Sequence, residues 1–159
     1  MLELRVAGPE DLPSVREAFR SVVEPLEVYN EQARRCEVER YTVSYLQELL
    51  QVDPRNVVIA VDGGAVQGFA ITRPDDGLLW LCWYGVVPSA RGRGISRPLL
   101  ERVLDLARER GYWKIWCDAR SENVRSIACL EQAGFRVVCE LERHWHGQDF
   151  VLMERWLER

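Results

Sequence analysis

Apolar and polar residues recur along the chain with two different periods, and each period predicts a different kind of element. Residues 2–6 alternate apolar and polar positions, which is typical of a half-buried strand. Residues 9–25 place apolar side chains at helical spacing behind a proline and two acids, a common way for a helix to begin. A second helix is predicted over residues 30–50, broken or irregular in its charged first part.

Glycine-containing turns join three predicted strands in the middle of the chain. Residues 57–62 and 66–72 flank an Asp-Gly-Gly sequence, which favours a tight hairpin. A second turn over residues 74–77 leads into a long run of aromatic and β-branched residues, 78–87. The three strands are therefore predicted to lie side by side and antiparallel.

The second half of the chain predicts a crossover followed by a hairpin. Apolar residues recur at helical spacing over residues 99–107 and stop before Gly111, and residues 113–119 are predicted to form a strand. A strand, a helix and a strand in this order predict a right-handed parallel crossover. A short helix and a closing hairpin are predicted over residues 124–133, 135–141 and 150–156.

Composition and charge narrow the classes of partner. The 159 residues suit a single domain spanning 1–159, and 47% of them are hydrophobic, enough for a folded core. A formal net charge of -4 argues against nucleic acid as a main partner, because nucleic-acid binders usually present a basic face. No apolar stretch is long enough to cross a membrane, and the first residues lack the layout of a signal peptide. We therefore expect a cytoplasmic protein that binds neither nucleic acid nor membrane.

Cysteine and histidine give little sign of metal binding. None of the 5 cysteines belongs to a Cys-x-x-Cys pair, so we expect reduced, mostly buried thiols. The only histidines, His144 and His146, lack a cysteine or carboxylate partner at the spacing of a zinc finger. We therefore expect no metal site.

The stretch from Val86 to Ser96 carries the main chemical signal. It follows the aromatic strand, precedes a helix and contains Gly92 and Gly94. The first N–H groups of a helix lack partners within the helix, and the helix dipole places partial positive charge there. Glycine allows positive φ and lets a ligand approach the backbone. The stretch therefore predicts an anion site that suits a phosphate.

Two known phosphate-binding motifs do not fit this turn. A Walker loop ends in Gly-Lys-Ser or Gly-Lys-Thr, whereas Ile95 follows Gly94 here. A dinucleotide-binding fingerprint needs a third glycine near position 97, which is Arg97. For the two glycines alone, an ordinary strand-to-helix turn is an equally good interpretation, and a nucleotide-binding domain is a further alternative.

One six-residue stretch resembles the pyrophosphate-binding motif of the GNAT superfamily, the acyl-CoA-dependent N-acyltransferases: Arg91-Gly92-Arg93-Gly94-Ile95-Ser96. That motif is written Q/R-x-x-G-x-G/A, and we expect the small Ser96 to leave the cradle intact. Two more blocks match the family in the right order. They are Val86-Val87-Pro88 upstream, and Asn123-Val124-Arg125-Ser126 followed by Gly134-Phe135 downstream.

The resemblance implies an α/β (α+β) GNAT-like fold with a mixed, mostly antiparallel sheet of six to seven strands, helices on both faces and splayed central strands. Residues 78–87 and 113–119 would be the diverging strands, and the pantetheine arm of acetyl-CoA would lie between them like an added strand. A backbone N–H near the end of the first of these strands would stabilise the oxyanion. The implied cofactor-binding residues are Val86, Val87, Arg91, Gly92, Arg93, Gly94, Ile95, Ser96, Asn123 and Ser126.

The usual acid of that family is missing. The family often places a tyrosine seven residues after the asparagine, and this position holds Leu130, which cannot donate a proton. Tyr84 is the candidate replacement, because Trp80, Cys82, Tyr84 and Val86 share one strand face by period two. Trp80 and Tyr84 would then form one apolar or cation-binding wall.

No carboxylate lies on that predicted strand face, so the base must come from elsewhere or the amine must give its proton to water. Glu24 is the candidate base, with Glu27 beside it, because the loop after the first helix borders the acceptor side in the resembled family. His144 and His146 are alternatives, because imidazole titrates in the right range.

These observations predict an N-acetyltransferase that moves the acetyl group of acetyl-CoA to a primary amine by direct attack. Neither Cys82 nor Cys129 has a neighbouring histidine in the sequence that would activate it as an acyl carrier. The alternative is a non-catalytic acyl-CoA-binding sensor or interaction module of the same fold. Members of the resembled family are often dimers, which favours a homodimer.

Overall fold

The structure, a computed structural model, describes residues 1–157. Seven strands and five helices lie in this part of the chain. The strands are β1 (Glu3–Val6), β2 (Val57–Asp62), β3 (Ala65–Asp75), β4 (Leu78–Val86), β5 (Lys114–Arg120), β6 (Arg136–Leu141) and β7 (Phe150–Trp156). The helices are α1 (Leu12–Val23), α2 (Glu31–Arg40), α3 (Val43–Val52), α4 (Ser96–Glu109) and α5 (Val124–Gln132).

The strands form a 7-stranded sheet in the order β1-β2-β3-β4-β5-β7-β6. Neighbouring strands are antiparallel except β4 and β5, which are parallel. Because α4 connects β4 to β5, the predicted parallel crossover is confirmed. The predicted fold, a mixed and mostly antiparallel sheet with helices on both faces, is confirmed as well.

The two central strands are paired over a very short stretch. Only Leu79 with Ile115 and Trp80 with Trp116 are in register between β4 and β5. Beyond these pairs the strands separate, so the rest of β4 has no strand partner on that side. The sheet therefore has a gap at its centre, as the resemblance implied.

Apolar side chains cover both faces of the sheet. On one face, α4 and α5 bury residues such as Leu99 and Leu130 against the strands. On the other face, α1 and α3 bury residues such as Phe19 and Leu46. Complete burial of one such side chain stabilises the fold by about 1.5–3 kcal/mol. We call these the α4–α5 face and the α1–α3 face.

A β-bulge in β4 decides which side chains reach each face. Ile71 of β3 pairs with Trp83, whereas the next residue, Thr72, pairs with Leu81. Cys82 is therefore an extra residue without a partner on β3. The period of two is interrupted there, and Cys82 and Trp83 both pack on the α1–α3 face.

The prediction that Trp80, Cys82, Tyr84 and Val86 share one face is therefore wrong. Tyr84 and Val86 pack against the core of the α4–α5 face. Trp80 lies before the bulge and alternates with residues buried on that face, so its side chain is on the α1–α3 face. Trp80 and Tyr84 form no common wall, because the extra residue sends them to opposite sides of the sheet.

The single helix predicted over residues 30–50 is two helices. Tyr41 leaves the helical conformation with φ -85° and ψ 63°. Thr42 then caps α3, since its side chain accepts a hydrogen bond from the Tyr45 N–H at 3.1 Å. The Tyr41 side chain is 1% exposed and packs into the aromatic core of the α1–α3 face, which gives a physical reason for the break.

The two predicted hairpin turns are present, and one is shorter than expected. Gly63 and Gly64 connect β2 to β3 with φ of 59° and 79°. β3 continues to Asp75, so the second turn consists of Asp76 and Gly77, also with positive φ. Positive φ at both central residues matches the twist of a two-residue hairpin.

Candidate functional site

A cleft of about 710 Å³ lies at the gap between β4 and β5 and is lined from both faces of the sheet. On the α4–α5 face its lining includes the turn before α4, Tyr84 and Ser126. On the α1–α3 face its lining includes Glu37 of α2, Trp80 and Asp118. We call these two halves of the cleft the α5 chamber and the α2 chamber.

The glycine turn before α4 has the backbone shape that its sequence predicts. Gly92 and Gly94 have φ of 79° and 74°, the left-handed region that other residues rarely adopt. A Cβ at either glycine would meet no atom within 4 Å, so open space lies beside the backbone. The turn leaves room for a ligand at the main chain.

The same turn presents a group of free backbone donors. The N–H groups of residues 92–97 make no hydrogen bond within the described part of the chain. They lead into α4, a helix of 14 residues whose dipole adds partial positive charge at this end. Free N–H groups at a helix start bind anions such as phosphate.

The predicted cradle residues do not all reach the cleft. Arg91, Gly92, Gly94, Ile95 and Ser96 line it. The side chain of Arg93 instead forms a salt bridge with Asp62 and is not among the lining residues. The Arg91 side chain can therefore contact an anion in the cleft, whereas Arg93 can offer such an anion only its backbone N–H.

The backbone of β4 points alternate N–H groups into the gap. The Val87 N–H donates to the Gln67 carbonyl at 2.9 Å, so it is occupied and cannot act as the predicted oxyanion donor. In an antiparallel pair the next residue faces the other way, which turns the Val86 N–H away from β3 and towards β5. Val86 is therefore the donor that the geometry supports.

Tyr84 crosses the α5 chamber from β4 to α5. Its hydroxyl lies 2.8 Å from the Ser126 hydroxyl and donates to the Ser126 carbonyl at 3.2 Å. Burial raises the pKa of Tyr84, and the nearby Cys129 adds to this, so the phenol stays protonated. The hydroxyl therefore lies at Ser126, one helical turn before Leu130 in α5. Leu130, at the position where the family often has a tyrosine, is 1% exposed and part of the core.

Asn123 has a structural role at the start of α5. Its side-chain oxygen accepts a hydrogen bond from the Ser126 N–H at 3.3 Å, which caps the helix. Asn123 also lines the cleft, and so does Ser126. Both predicted residues are thus brought to the α5 chamber.

Two stacked indoles lie where the central strands begin to separate. The Trp80 and Trp116 rings are 5.3 Å apart between centroids and 7° from parallel. The Trp116 N–H donates to Asp75 Oδ2 at 2.7 Å. The Trp80 N–H is buried and has no hydrogen-bond partner in the described chain, so its hydrogen-bonding capacity is unused there.

Glu37 brings a carboxylate from α2 to the same chamber. One carboxylate oxygen accepts a hydrogen bond from the Trp83 N–H at 2.8 Å. The other lies 3.7 Å from the guanidinium of Arg40. Glu37 is thus held in place by a neighbouring strand and by its own helix.

Asp118 of β5 is a second carboxylate in the α2 chamber, and the sequence analysis missed it. Burial and the charge of Glu37 raise the pKa of Asp118 to about 7, and the Trp80 N–H opposes this shift without a well-formed hydrogen bond. Asp118 forms no salt bridge with any described residue. A buried carboxyl that titrates near neutrality and lacks a cation suits proton transfer from a bound amine.

Two thiols of the site are poor nucleophiles because they are buried. Burial raises the pKa of Cys82 to about 12 and places that of Cys117 well above its ordinary value. All five cysteines are free, but only Cys117 is fully buried, three are half-buried and Cys139 is exposed, so the expectation of mostly buried thiols was too strong. The structure therefore gives no support to an acyl-cysteine route through Cys82 or Cys117.

The predicted bases lie mainly outside the cleft. Glu24 at the end of α1 is exposed, forms a 2.8 Å salt bridge with Arg20 and does not line the cleft, so its prediction as the base is not supported. Glu27 is exposed and His144 is exposed, and neither lines the cleft. Of the alternatives, only His146 is among the lining residues.

One signal could have pointed to Asp118 in advance. It is the single acidic residue inside the predicted strand 113–119, where the neighbouring positions are largely apolar. A charged residue in a central strand is costly to bury without a partner or a function. Glu37 could not be found this way, because it lies in a helix rich in charge.

A model described as the acetyltransferase (GNAT) family matches residues 23–135 of the chain. The L-methionine sulfoximine/L-methionine sulfone acetyltransferase of Salmonella typhimurium is 26% identical over 163 residues, covering 99% of this chain and 90% of that protein. The mycothiol acetyltransferase of Beutenbergia cavernae is 35% identical over 77 residues. That match covers 48% of this chain but only 26% of the longer relative.

The fold is also that of solved acetyltransferases. The crystal structure of the PaiA N-acetyltransferase of Thermoplasma acidophilum in complex with coenzyme A superposes with a TM-score of 0.83. The two chains are 18% identical, and the match covers 98% of this chain and 99% of that one. Among residues 1–157, no helix is both long enough and apolar enough to span a bilayer.

Proposed function

This chain belongs to the GNAT family of acetyltransferases and is an N-acetyltransferase that uses acetyl-CoA, and we propose that it acetylates a primary amine held in the α2 chamber. One observation carries the proposal. Free backbone donors and a protonated tyrosine lie on one side of the β4–β5 gap, and an unpaired buried carboxylate lies on the other. The reaction needs donors on the carbonyl side and a proton acceptor on the amine side.

The α5 chamber fits the diphosphate and the thioester end of acetyl-CoA, which supplies the activated acetyl group. The N–H groups of residues 92–97 would hold the diphosphate, and Arg91 would add positive charge beside it. Open space beside Gly92 and Gly94 lets the phosphates approach the main chain. The unpaired edge of β4 would pair with the extended arm of the ligand.

Two groups would act on the acetyl carbonyl and the leaving sulfur. The Val86 N–H would hydrogen-bond to the carbonyl oxygen as it gains negative charge. Tyr84 would give its proton to the departing sulfur, since its hydroxyl is protonated and lies on the α4–α5 face. Both groups come from β4, on the cofactor side of the gap.

Asp118 would be the base that deprotonates the acceptor. An ammonium beside the ionised Asp118 forms a charge-assisted hydrogen bond and transfers its proton to the carboxylate. The free amine then forms the new bond to the acetyl carbon as the bond from that carbon to sulfur breaks. The nitrogen loses its second proton as it becomes the amide, and this proton replaces, through solvent, the one that Tyr84 gives to sulfur. The high pKa of the Cys82 thiol supports this direct attack over a covalent acyl-enzyme route.

The two named relatives acetylate different acceptors, so the residues of the α2 chamber decide which acceptor this chain takes. We further propose that residues 1–159 form one domain, that the protein is a homodimer and that it is cytoplasmic. The set of free cysteines supports a reducing compartment.

The experiment is a thiol-release assay with acetyl-CoA and a panel of primary amines, amino acids and peptides, paired with calorimetric measurement of CoA affinity. We expect saturable thiol release with at least one acceptor. We expect none when the acceptor is omitted, which controls for hydrolysis of acetyl-CoA. Tight CoA binding without transfer to any member of the panel would favour the non-catalytic sensor. Stabilisation by ATP and not by CoA would favour a nucleotide-binding protein instead.

A further inference from the structure

A guanidinium without a carboxylate partner stands at the mouth of the α2 chamber. Arg73 of β3 is exposed and lines the cleft. Its only hydrogen bond within residues 1–157 is a long one of 3.4 Å to the Tyr45 hydroxyl, and it forms no salt bridge there. The guanidinium carbon lies 5.7 Å from the centre of the Trp80 ring, within range of a cation–π contact.

Trp80 also connects this cation to the buried carboxylate. Arg73 and Trp80 are direct partners between β3 and β4. Asp118 follows two residues after Trp116, the ring that stacks on Trp80, and shares its strand face. The Trp80 N–H has no hydrogen-bond partner in the described chain but lies near enough to Asp118 to lower the pKa of its carboxyl group. Arg73 and Asp118 therefore both lie beside the Trp80 indole, Arg73 over its ring and Asp118 near its N–H.

We propose that the acceptor is a free amino acid, with its ammonium at Asp118 and its carboxylate at Arg73. The proposal rests on the proposed N-acetyltransferase function and specifies its substrate class. An α-amino acid carries both charges on one carbon, so it can satisfy both free groups at once.

A plain amine or a peptide would satisfy the chamber less well. An amine without a carboxylate leaves Arg73 with no anion, and a peptide N-terminus places a neutral amide where the carboxylate would be. The other lining residues are mostly uncharged and aromatic or apolar, such as Leu26, Tyr29 and Trp83. The side chain of the amino acid would lie against these surfaces, which favours a neutral side chain.

The experiment compares matched acceptors with wild-type protein and with variants of Arg73. L-amino acids are screened first by thiol release, and the best one is then compared with its carboxamide and with the amine that lacks the carboxyl group. We expect the free acid to exceed both analogues at least about 10-fold in kcat/KM, the value of one good charge-assisted contact.

Arg73→Gln removes the positive charge and leaves Asp118 in place, so it tests binding of the substrate carboxylate alone. We expect kcat/KM for the amino acid to fall about 10- to 100-fold, mainly through KM, while values for the carboxamide and the amine stay within about 2-fold. Arg73→Lys should lie between, because lysine keeps the charge without the guanidinium fork. Arg108→Gln, an exposed change on α4, serves as the control.

The outcomes distinguish this inference from the function it rests on. Acetylation of amines or carboxamides with efficiency equal to that of amino acids would overturn the amino-acid assignment alone. Equal losses for all three acceptors in Arg73→Gln would do the same. CoA binding without acetylation of any acceptor would overturn the proposed function itself, and the amino-acid assignment with it.

Discussion

At the scale of single residues, burial in the same cleft raises the pKa of both Tyr84 and Asp118, with different consequences for the two groups. Burial disfavours the charged form of each, so the phenol stays protonated and the carboxyl titrates near neutrality. One group is thus ready to donate a proton and the other is ready to accept one. The two lie on opposite faces of the sheet, Tyr84 on the side of the proposed thioester and Asp118 on the side of the proposed amine.

Tyr84→Phe tests the donor. We expect kcat to fall at least about 10²-fold, the usual contribution of a general acid, with CoA affinity unchanged. Tyr112→Phe, a change in a tyrosine outside the cleft, is the matched control. Full activity in Tyr84→Phe would mean that solvent protonates the leaving sulfur and that Tyr84 only packs against α5.

Asp118→Asn tests, through enzyme activity, whether Asp118 accepts the proton of the substrate amine. In the wild-type protein kcat/KM should rise with pH through about 7 as Asp118 ionises, the value that burial and Glu37 produce. The Asn variant should lose this rise together with most activity. Asp105→Asn, on the exposed side of α4, should keep the wild-type profile.

Asp118→Asn should also change how the stability of the fold depends on pH. The pKa of Asp118 is higher in the folded chain than in the unfolded chain, so the folded state holds its proton more tightly. Its stabilising contribution is present below the unfolded pKa of about 4 and is lost as pH rises through about 7. Asp118→Asn should therefore melt higher than wild type at pH 8, by about 2–4 °C for each kcal/mol relieved, with the difference vanishing near pH 4.

At the scale of elements, the turn before α4 combines positive φ with free donors. Gly94→Asp should weaken CoA binding about 10- to 100-fold, because it adds backbone strain and a negative charge next to the diphosphate. Gly94→Asn carries similar strain without the charge and should lose less. Gly111→Asp, at φ 80° but outside the cleft, should leave CoA affinity unchanged. Calorimetric titration with CoA measures all three, and equal affinities would contradict the cradle.

Local sequence was enough to predict elements whose signals are local. The glycine turn, the two hairpins and the crossover depend on residue types within a few positions of each other. Thr42 shows a local signal that was present and overlooked, since threonine is a preferred first residue before a helix. The bulge at Cys82 could not be predicted in this way, because it exists only relative to the register of β3.

The proposed acid and the proposed base of the site could be predicted from the sequence to different extents, for the same reason. Tyr84 was identified as the acid candidate from a wrong assumption about its face, and the structure brings it to Ser126 of α5 only because of the bulge. The position of Asp118 in an apolar strand was a local sign of burial that was overlooked. Its raised pKa also depends on Glu37, far away in sequence, and that contact could not be predicted from one stretch of residues.

At the scale of the whole molecule, the two chambers open from opposite faces of one sheet and meet at the gap. Both substrates can therefore be bound together, and burial raises the pKa of the Cys82 and Cys117 thiols, which disfavours an acetyl-cysteine at either position. Initial-rate plots at several acetyl-CoA concentrations should give intersecting lines, as a ternary complex requires. Parallel lines, with acetyl-protein detected by mass spectrometry, would indicate a covalent carrier and contradict direct attack.

The bulge at Cys82 keeps the two ends of β4 on their present faces. Ile71 pairs with Trp83 and Thr72 with Leu81, so a variant lacking Cys82 would pair regularly and leave Trp83 and Tyr84 where they are. If Cys82 instead paired in register with β3, every side chain on one end of β4 would move to the opposite face. Tyr84 would then lie on the face of Trp80, with no substitution anywhere.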